Sequence, residues 1–166
     1  MNPIFEAPVV CNAGPLIGLA RVNLAWLPFR LFPEVIVPEE VRVELLVKES
    51  PDRSQLIKAL ELARIHQCHD KPDPLLHTEL DSGEAAVIAT ALELGVSAVV
   101  LDEKKARRIA AHIYGINVNG TAGLLVEAKR RDLIQAVKPC LYGMIQGGYF
   151  LGPNLVSSCL DAAGES

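Results

Sequence analysis

Residues 9–17 have the sequence VVCNAGPLI, in which a short apolar run is followed by an amide and then by a Gly-Pro pair. The run at residues 9–11 is typical of a buried strand, and the turn after it leads into a helix. Further β-branched or apolar runs occupy residues 35–37, 98–101 and 116–118. Helical patterns separate these runs. We therefore predict an α/β fold with a central, mostly parallel sheet that is covered by helices on both faces.

Capping residues and glycines mark the helix boundaries. Pro38 stands at a first helical position after the run at residues 35–37, and Asp81 with Glu84 has the spacing of a capping box for a helix that ends at Gly95. Other helical patterns begin at Ser50-Pro51-Asp52, cover the apolar positions Ala106, Ile109, Ala110 and Ile113, and occupy residues 124–129 and 153–163. Parallel sheets bind ligands at the carboxyl ends of their strands, so polar residues that follow strands are the candidate site residues.

Composition predicts one cytoplasmic domain. Half of the 166 residues are apolar, which is enough for a core without disulfides. The start has no pattern of a secretory signal, and no apolar run approaches membrane-spanning length. The cysteines are far apart and form no CxxC pair, which favours reduced thiols: Cys11, Cys68, Cys140 and Cys159.

The charge pattern excludes some function classes. A formal net charge of -4 argues against a protein that coats nucleic acid by bulk attraction, so any contact with nucleic acid must be local. A phosphate-binding NTPase is disfavoured because the sequence has no GxxxxGK[ST] loop. A receiver-like phosphotransfer domain would need paired acids after its first strand, where this chain has Cys11 and Asn12.

Four polar residues are candidates for one site. Asn12 and Asp102 each follow a predicted strand, and Glu84 lies in the first turn of its helix. Glu44 lies within the helix that begins at Pro38, among apolar neighbours that would shield its carboxylate. Structural roles compete with this interpretation: Asn12, Glu84 and Asp102 all have positions suited to helix caps, and Glu44 would be a surface residue if its face were misassigned.

The order of these residues resembles that of the PIN-domain superfamily of metal-dependent nucleases. The segments that carry the resemblance are residues 9–17, 37–45, 83–91 and 98–102, and residues 119–125 and 137–139 are similar to a PIN-like branch of predicted nucleic-acid-binding proteins related to toxin ribonucleases. The resemblance implies a three-layer PIN-like fold over residues 1–147, with residues 148–166 as a C-terminal helical extension packed on the same domain. In catalytic members the first position is usually Asp, whereas this chain has Asn12.

The resemblance implies a metal-dependent ribonuclease that hydrolyses phosphodiester bonds of RNA with Mg²⁺ or Mn²⁺. Glu44, Glu84 and Asp102 would be catalytic, because three neighbouring carboxylates repel one another and a divalent ion relieves that repulsion. Glu84 and Asp102 would bind the ion directly. Asn12 would be a neutral oxygen ligand that lowers metal affinity relative to Asp. The resemblance also suggests that Thr121 hydrogen-bonds a phosphate or a metal-bound water.

Basic residues follow Asp102 directly. Lys104, Lys105 and Arg108 are expected to contact phosphates of a strand that enters the site; the alternative is a solvated helix face without such a role.

Two other functions stay open. Loss of the first Asp would favour a weak or inactive module that binds nucleic acid or a partner, such as a small antitoxin in a toxin-antitoxin pair. The resemblance further implies a homodimer. A zinc protein is the alternative from a different class, because one short stretch contains His66, Cys68, His69 and His77, although their spacing fits no standard zinc pattern.

Overall fold

The computed structural model describes residues 2–166, which form an α/β fold around a five-stranded sheet whose strands are all parallel. The predicted fold class is confirmed. The strands are β1 (Val9–Cys11), β2 (Val35–Pro38), β3 (Arg64–His66), β4 (Ala98–Val100) and β5 (Asn117–Asn119), in the order β3-β2-β1-β4-β5. The chain runs outward from β1 to β3 and then returns to place β4 on the other side of β1. This topological switch between β1 and β4 is where parallel sheets open a ligand crevice.

Helices pack around this sheet. They are α1 (Ala13–Ala20), α2 (Leu27–Leu31), α3 (Glu39–Val47), α4 (Arg53–Leu62), α5 (Pro74–Glu79), α6 (Ser82–Leu94), α7 (Lys104–Arg108), α8 (Thr121–Arg130), α9 (Lys138–Gln146) and α10 (Pro153–Ala162). A 3-10 helix (Pro3–Glu6) precedes β1, and a π-helix (Ile109–Ile113) continues α7. Helix α6 packs against β1, β2 and β4, so its two ends have fixed positions relative to the sheet.

Burial explains why the central strands are apolar throughout. Every residue of β1 and β4 is buried, as expected for strands that are covered on both faces. Leu16 on α1, Ile88 on α6 and Leu124 on α8 have no exposed surface and belong to the same core. The strands therefore end at fixed points, and the residues that follow them are held at one edge of a rigid sheet.

Strand β3 was absent from the sequence prediction. Arg64 and Ile65 are exposed and His66 is only half-buried, so this strand has no apolar run. Its conformation is set by pairing with β2, in the register Ile36↔Arg64 and Pro38↔His66. An edge strand of this kind depends on its neighbour rather than on local propensity.

The predicted apolar face after Asp102 is correct for Ala106, Ile109 and Ala110, which are buried, and wrong for Ile113, which is 56% exposed. The backbone explains the difference, because the helix widens into a π-helix and the Tyr114 N–H donates to the Ile109 carbonyl. That wider turn ends the helix, and the next buried side chain lies after the π-helix.

The C-terminal helix α10 packs on α8. The Cys159 thiol donates to the Ala122 carbonyl over 3.5 Å, and Lys129 Nζ donates to the Ala163 carbonyl over 2.7 Å. The Glu165 carboxylate accepts hydrogen bonds from the backbone N–H groups of Val137 and Lys138 at 2.8 and 3.0 Å. The division of the chain at residue 147 remains a prediction. Among the helices of residues 2–166, none has the length and apolar character needed to cross a membrane.

Candidate metal centre and nucleic-acid interface

A cavity of about 840 Å³ lies where β1 and β4 end. We call it the acidic cavity, because its lining contains Asn12, Glu44, Asp81, Glu84, Asp102 and Glu103. The structure thus brings together the four candidate residues of the sequence analysis. Asn12 follows β1, Asp102 follows β4, and Glu44 and Glu84 come from α3 and α6. Lys104 is the basic residue of this lining.

Asn12 is held in place by its backbone, whose N–H donates to the Val100 carbonyl over 3.2 Å. Asn12 stands at the N-cap position of α1, as the alternative interpretation predicts, but its side chain makes no capping hydrogen bond there. Within residues 2–166 the buried Oδ1 of Asn12 has no hydrogen-bond partner. A buried acceptor without a partner is costly, which makes this oxygen a binding position for a cation or a donor.

Gly83 shows how close the oxygens of the cavity are. A Cβ atom at this position would lie 2.9 Å from Glu44 Oε2 and 3.4 Å from Asn12 Oδ1. The two oxygens therefore lie beside the backbone at the start of α6, and a side chain at residue 83 would displace the Glu44 carboxylate. Gly83 therefore contributes to the site by leaving space for these two oxygens.

Asp81 and Glu84 form the predicted capping box of α6. Asp81 Oδ1 accepts from the Glu84 N–H over 2.8 Å, and Glu84 Oε1 accepts from the Asp81 N–H over 3.3 Å. Both side chains also line the acidic cavity, so capping and a role in the site coexist here. Sequence analysis identified Asp81 only as a cap. Its second role depends on the helix start facing the cavity, which spacing alone does not reveal.

Electrostatics in the cavity disfavour negative charge. Burial and the neighbouring Asp81 carboxylate raise the pKa of Glu84 to about 7. The same two causes raise the pKa of Glu44, and Lys48 opposes them only in part. Within the described residues no salt bridge involves a carboxylate of the cavity. The site is therefore short of positive charge, and a bound cation would relieve it.

Asp102 is held more tightly than the other acids. Its Oδ1 accepts from the Thr121 N–H over 2.8 Å, and its Oδ2 accepts from the Thr121 hydroxyl over 2.6 Å and from the Tyr149 hydroxyl. Its carboxylate thus lies at the N-terminus of α8, where helix geometry favours negative charge. Asp102 does not cap α7, because that position belongs to Glu103. These donors leave the carboxylate anchored on one side and facing the cavity on the other.

One wall of the acidic cavity comes from the predicted C-terminal extension, and sequence analysis missed it. Residues 149–155 line the cavity, and the Tyr149 ring lies against α1 beside two glycines. A Cβ atom at Gly18 would come within 2.9 Å of this ring, and one at Gly14 would lie 3.3 Å from the Tyr149 hydroxyl. Phe150 is 85% exposed at the same wall. The available signal was two glycines, Gly147 and Gly148, followed directly by two aromatic residues.

The predicted phosphate-binding residues have different positions. Lys104 lines the cavity, whereas Lys105 pairs with Glu79 over 2.7 Å and Arg108 lies at a separate depression. Thr121 has no exposed surface. Arg107 Nη1 donates to the Leu101 carbonyl over 2.8 Å, so this side chain folds back toward the strand end. The basic residues after Asp102 therefore do not form one continuous surface.

The histidine-rich stretch lies elsewhere. His66 and Cys68 come together with Glu93, near the C-terminal end of α6, and one potential ligand atom from each lies within 4.8 Å of the others. His77, on α5, does not belong to this group of three. The structure thus places this group of potential ligands at the opposite end of α6 from the acidic cavity.

A family model described as a PIN domain matches residues 8–165, which is nearly the whole chain. Comparison with curated proteins found no match to this chain.

Proposed function

We propose that this chain, which belongs to the PIN-domain family, is a metal-dependent ribonuclease that hydrolyses RNA in the acidic cavity. The family has a nuclease-like fold, and its members generally use a divalent metal. One observation carries the proposal: a buried Asn12 oxygen without a hydrogen-bond partner in residues 2–166 lines the same cavity as the carboxylates of Glu44, Glu84 and Asp102. Such a set has spare acceptors and excess negative charge, which together favour a divalent cation.

The chemistry of the donors fits Mg²⁺ or Mn²⁺. Both ions prefer oxygen ligands, and Mg²⁺ retains several waters, so a complete protein cage is unnecessary. In this proposal Glu84 and Asp102 bind the ion directly, and Asn12 adds a neutral oxygen. When bound, the ion would polarise the phosphate and offset the charge that develops on it.

The protein side chains would divide the remaining tasks. Glu44 would orient the attacking water and accept its proton, a role favoured by the upward shift of its pKa. Asp102 would keep its orientation through the donors Thr121 and Tyr149. We therefore reassign Thr121 from phosphate contact to the positioning of Asp102, because its side chain is fully buried and its hydroxyl is already used.

RNA would enter along the wall formed by residues 149–155. Lys104, at the cavity, would contact a phosphate, whereas Lys105 is engaged by Glu79 and Arg108 is distant from the acids. Phe150 would stack on a base, because its ring is 85% exposed beside the cavity. These contacts are local, in keeping with the acidic net charge of the chain.

A nuclease assay tests the proposal. Pooled RNA is incubated with the natural chain and Mg²⁺ or Mn²⁺, and cleavage is compared with that by Glu84→Gln and Asp102→Asn. We expect cleavage that depends on the metal and is lost in both variants. Glu61→Gln, an exposed acid on α4, is the matched control and should cleave like the natural chain. Cleavage that persists in both cavity variants would contradict the proposal.

The second candidate is a binding module without cleavage, and Asn12 favours it. An amide brings no charge to the ion, so metal affinity should be lower than with Asp. Partner binding would use the same wall, where Phe150 and Leu155 expose apolar surface. Metal-dependent binding of RNA without cleavage would support this candidate over the first.

The toxin role, the antitoxin partner and the homodimer remain proposals that depend on the resemblance. In a toxin, an antitoxin tail would occupy the acidic cavity and exclude RNA. Expression of the natural chain should then arrest growth of the host cell, and Asp102→Asn should not. Equal growth of cells expressing either chain would argue against a toxin.

A further inference from the structure

We propose that His66, Cys68 and Glu93 form a second metal site, which binds Zn²⁺ and is independent of the acidic cavity. The Nε2 atom of His66 lies 2.5 Å from Glu93 Oε2, and each of the three residues offers one ligand atom within 4.8 Å of the others. Imidazole, thiolate and carboxylate are the ligand set of zinc, whereas Mg²⁺ selects oxygen alone.

The dimensions of the cluster suit a tetrahedral ion. Ligand bonds of roughly 2.0–2.3 Å place the ligand atoms of a zinc ion about 3.3–3.8 Å apart. All the potential ligand atoms lie within 4.8 Å of one another, and the 2.5 Å contact between His66 and Glu93 would lengthen to about 3.3 Å when both bind the ion.

Hydrogen bonds already orient two of the ligands. Glu93 Oε1 accepts from the backbone N–H groups of His69 and Asp70 over 2.8 and 2.7 Å, so that Oε2, which contacts His66 Nε2, is the oxygen that would face the ion. The Cys68 sulfur lies 3.3 Å from the hydroxyl of Thr90, which is fully buried. Such supporting contacts to ligands are typical of metal sites.

The surroundings supply charge and access. The carboxylates of Glu93, Glu40 and Asp70 place negative charge around the Cys68 side chain. A divalent ion is attracted by these charges and stabilises the thiolate form of a cysteine that binds it. Cys68 and Glu93 line a cavity of about 180 Å³ that Asp70 also borders. The cavity provides the entry path and room for a fourth ligand, either water or the Asp70 carboxylate.

The site is separate from the acidic cavity. Glu84 and Glu93 lie on the same helix nine positions apart, which corresponds to about 13 Å along its axis. A zinc ion here would join the end of β3 and the connector after it to the C-terminal end of α6. The inference therefore goes beyond the proposed ribonuclease activity and does not depend on it.

Titration of the full, reduced, metal-free chain with Co²⁺ tests this site. A thiolate ligand gives a charge-transfer band in the near ultraviolet, and tetrahedral Co²⁺ gives strong visible bands. We expect both to saturate at one ion per chain and to disappear when Zn²⁺ is added. The charge-transfer band should be lost in Cys68→Ser, and in Glu93→Gln, which changes a direct ligand, the affinity should fall at least about a hundredfold.

Matched variants separate the two proposed sites. Cys140→Ser removes another half-buried thiol and should leave the spectrum unchanged. The double variant Glu84→Gln with Asp102→Asn should also retain the Co²⁺ spectrum. This expectation holds whether or not the double variant loses RNA cleavage, because it concerns the other site. Absence of a charge-transfer band in the natural chain, or its persistence in Cys68→Ser, would overturn the inference.

Alkylation of the natural chain provides a test that does not depend on folding of the variants. Zn²⁺ should slow the alkylation of Cys68 at least tenfold and leave the rate at Cys140 unchanged, as measured by mass spectrometry of peptides. Equal rates at Cys68 with and without Zn²⁺ would also overturn the inference.

Discussion

The two ends of α6 place the same residue type in opposite environments. At the N-terminal end, burial and Asp81 raise the pKa of Glu84 to about 7. At the C-terminal end, the backbone N–H of Asp70 and the His66 side chain lower the pKa of Glu93 to about 2. The comparison shows that burial and hydrogen-bond donors together decide the direction of the pKa shift. Glu93 has two backbone donors and an imidazole, whereas Glu84 has one backbone donor and a like charge beside it.

The two ends of α6 therefore differ in the kind of ligand that would stabilise them. The acidic cavity lacks positive charge, so a hard cation would stabilise it. The cluster at Glu93 is already satisfied by hydrogen bonds in its metal-free state, and zinc would exchange one of them for coordination.

The largest effect is expected for Glu84→Gln. In the natural chain, Mn²⁺ at a hundredfold excess over its dissociation constant should stabilise the fold by about 2.7 kcal/mol. In the variant, metal affinity should fall at least about a hundredfold, because a direct ligand contributes more than a supporting residue. Thermal melts with and without Mn²⁺ measure both quantities. An unchanged metal response would place the ion outside the acidic cavity.

The same substitution has a second consequence without metal. Because the folded chain retains a proton on Glu84 up to about pH 7 and the unfolded chain only to about pH 4.5, stability of the metal-free protein falls as the pH rises through this window. Glu84→Gln should remove that decline in stability. Above pH 7 the variant should therefore be more stable than the natural chain. Urea unfolding across the pH range measures it, and parallel curves for the two chains would contradict the assigned environment.

Asn12→Asp is expected to increase metal affinity about tenfold, because a charged oxygen replaces a neutral one. Without metal the sign reverses, since one more carboxylate then repels the others. Melting temperatures with and without Mn²⁺ should therefore move in opposite directions. Asn117→Asp, an exposed position on β5, is the control and should move neither. Movement in the same direction would exclude Asn12 from the site.

Tyr149→Phe should have a smaller effect. It removes one of the three donors to Asp102 and leaves the ring in place, at a cost of about 1 kcal/mol. We expect RNA cleavage to fall about fivefold, together with a weaker Mn²⁺ affinity that a purely structural role would not produce. Tyr142→Phe, on the exposed face of α9, should change neither. Unchanged cleavage and metal affinity would remove Tyr149 from the positioning role.

The smallest effect concerns Glu165, which reproduces the Glu93 environment without a histidine or a thiol. The backbone N–H groups of Val137 and Lys138, with Lys129, lower its pKa to about 2. Its contribution to stability should be present above about pH 4.5 and be lost as the pH falls toward 2. NMR titration of the carboxyl measures it. A pKa near 4.5 would show that backbone donors do not explain the lowered value at Glu93 either.

Sequence patterns located four of the polar residues of the acidic cavity, because three of them follow strands or begin a helix. Asn12, Glu84 and Asp102 have positions set by local rules, namely where an apolar run stops and where a cap starts. The second role of Asp81 and the wall at Tyr149 were missed. Each depends on contacts between segments that are distant in the chain, and no local rule describes those contacts.

The zinc alternative shows the same limit. The sequence placed His66 and Cys68 in one stretch, but Glu93 joins them only because β3 ends beside the C-terminal part of α6. Strand β3 itself was not predicted, since its exposed residues lack an apolar pattern and its pairing with β2 determines its conformation. Residue spacing in the sequence therefore cannot predict a cluster whose position depends on an edge strand.

By itself, the sequence determined the α/β class, the parallel sheet and the residues at the strand ends, because apolar periodicity and capping are local properties of the chain. Tertiary structure decided which side chains share an environment. It joined residues 149–155 to the acids, turned Thr121 toward Asp102, and gave Glu84 and Glu93 opposite pKa shifts on one helix. The physical reason is that burial, donors and like charges act through space, and their sum at any carboxylate is known only when the chain is folded.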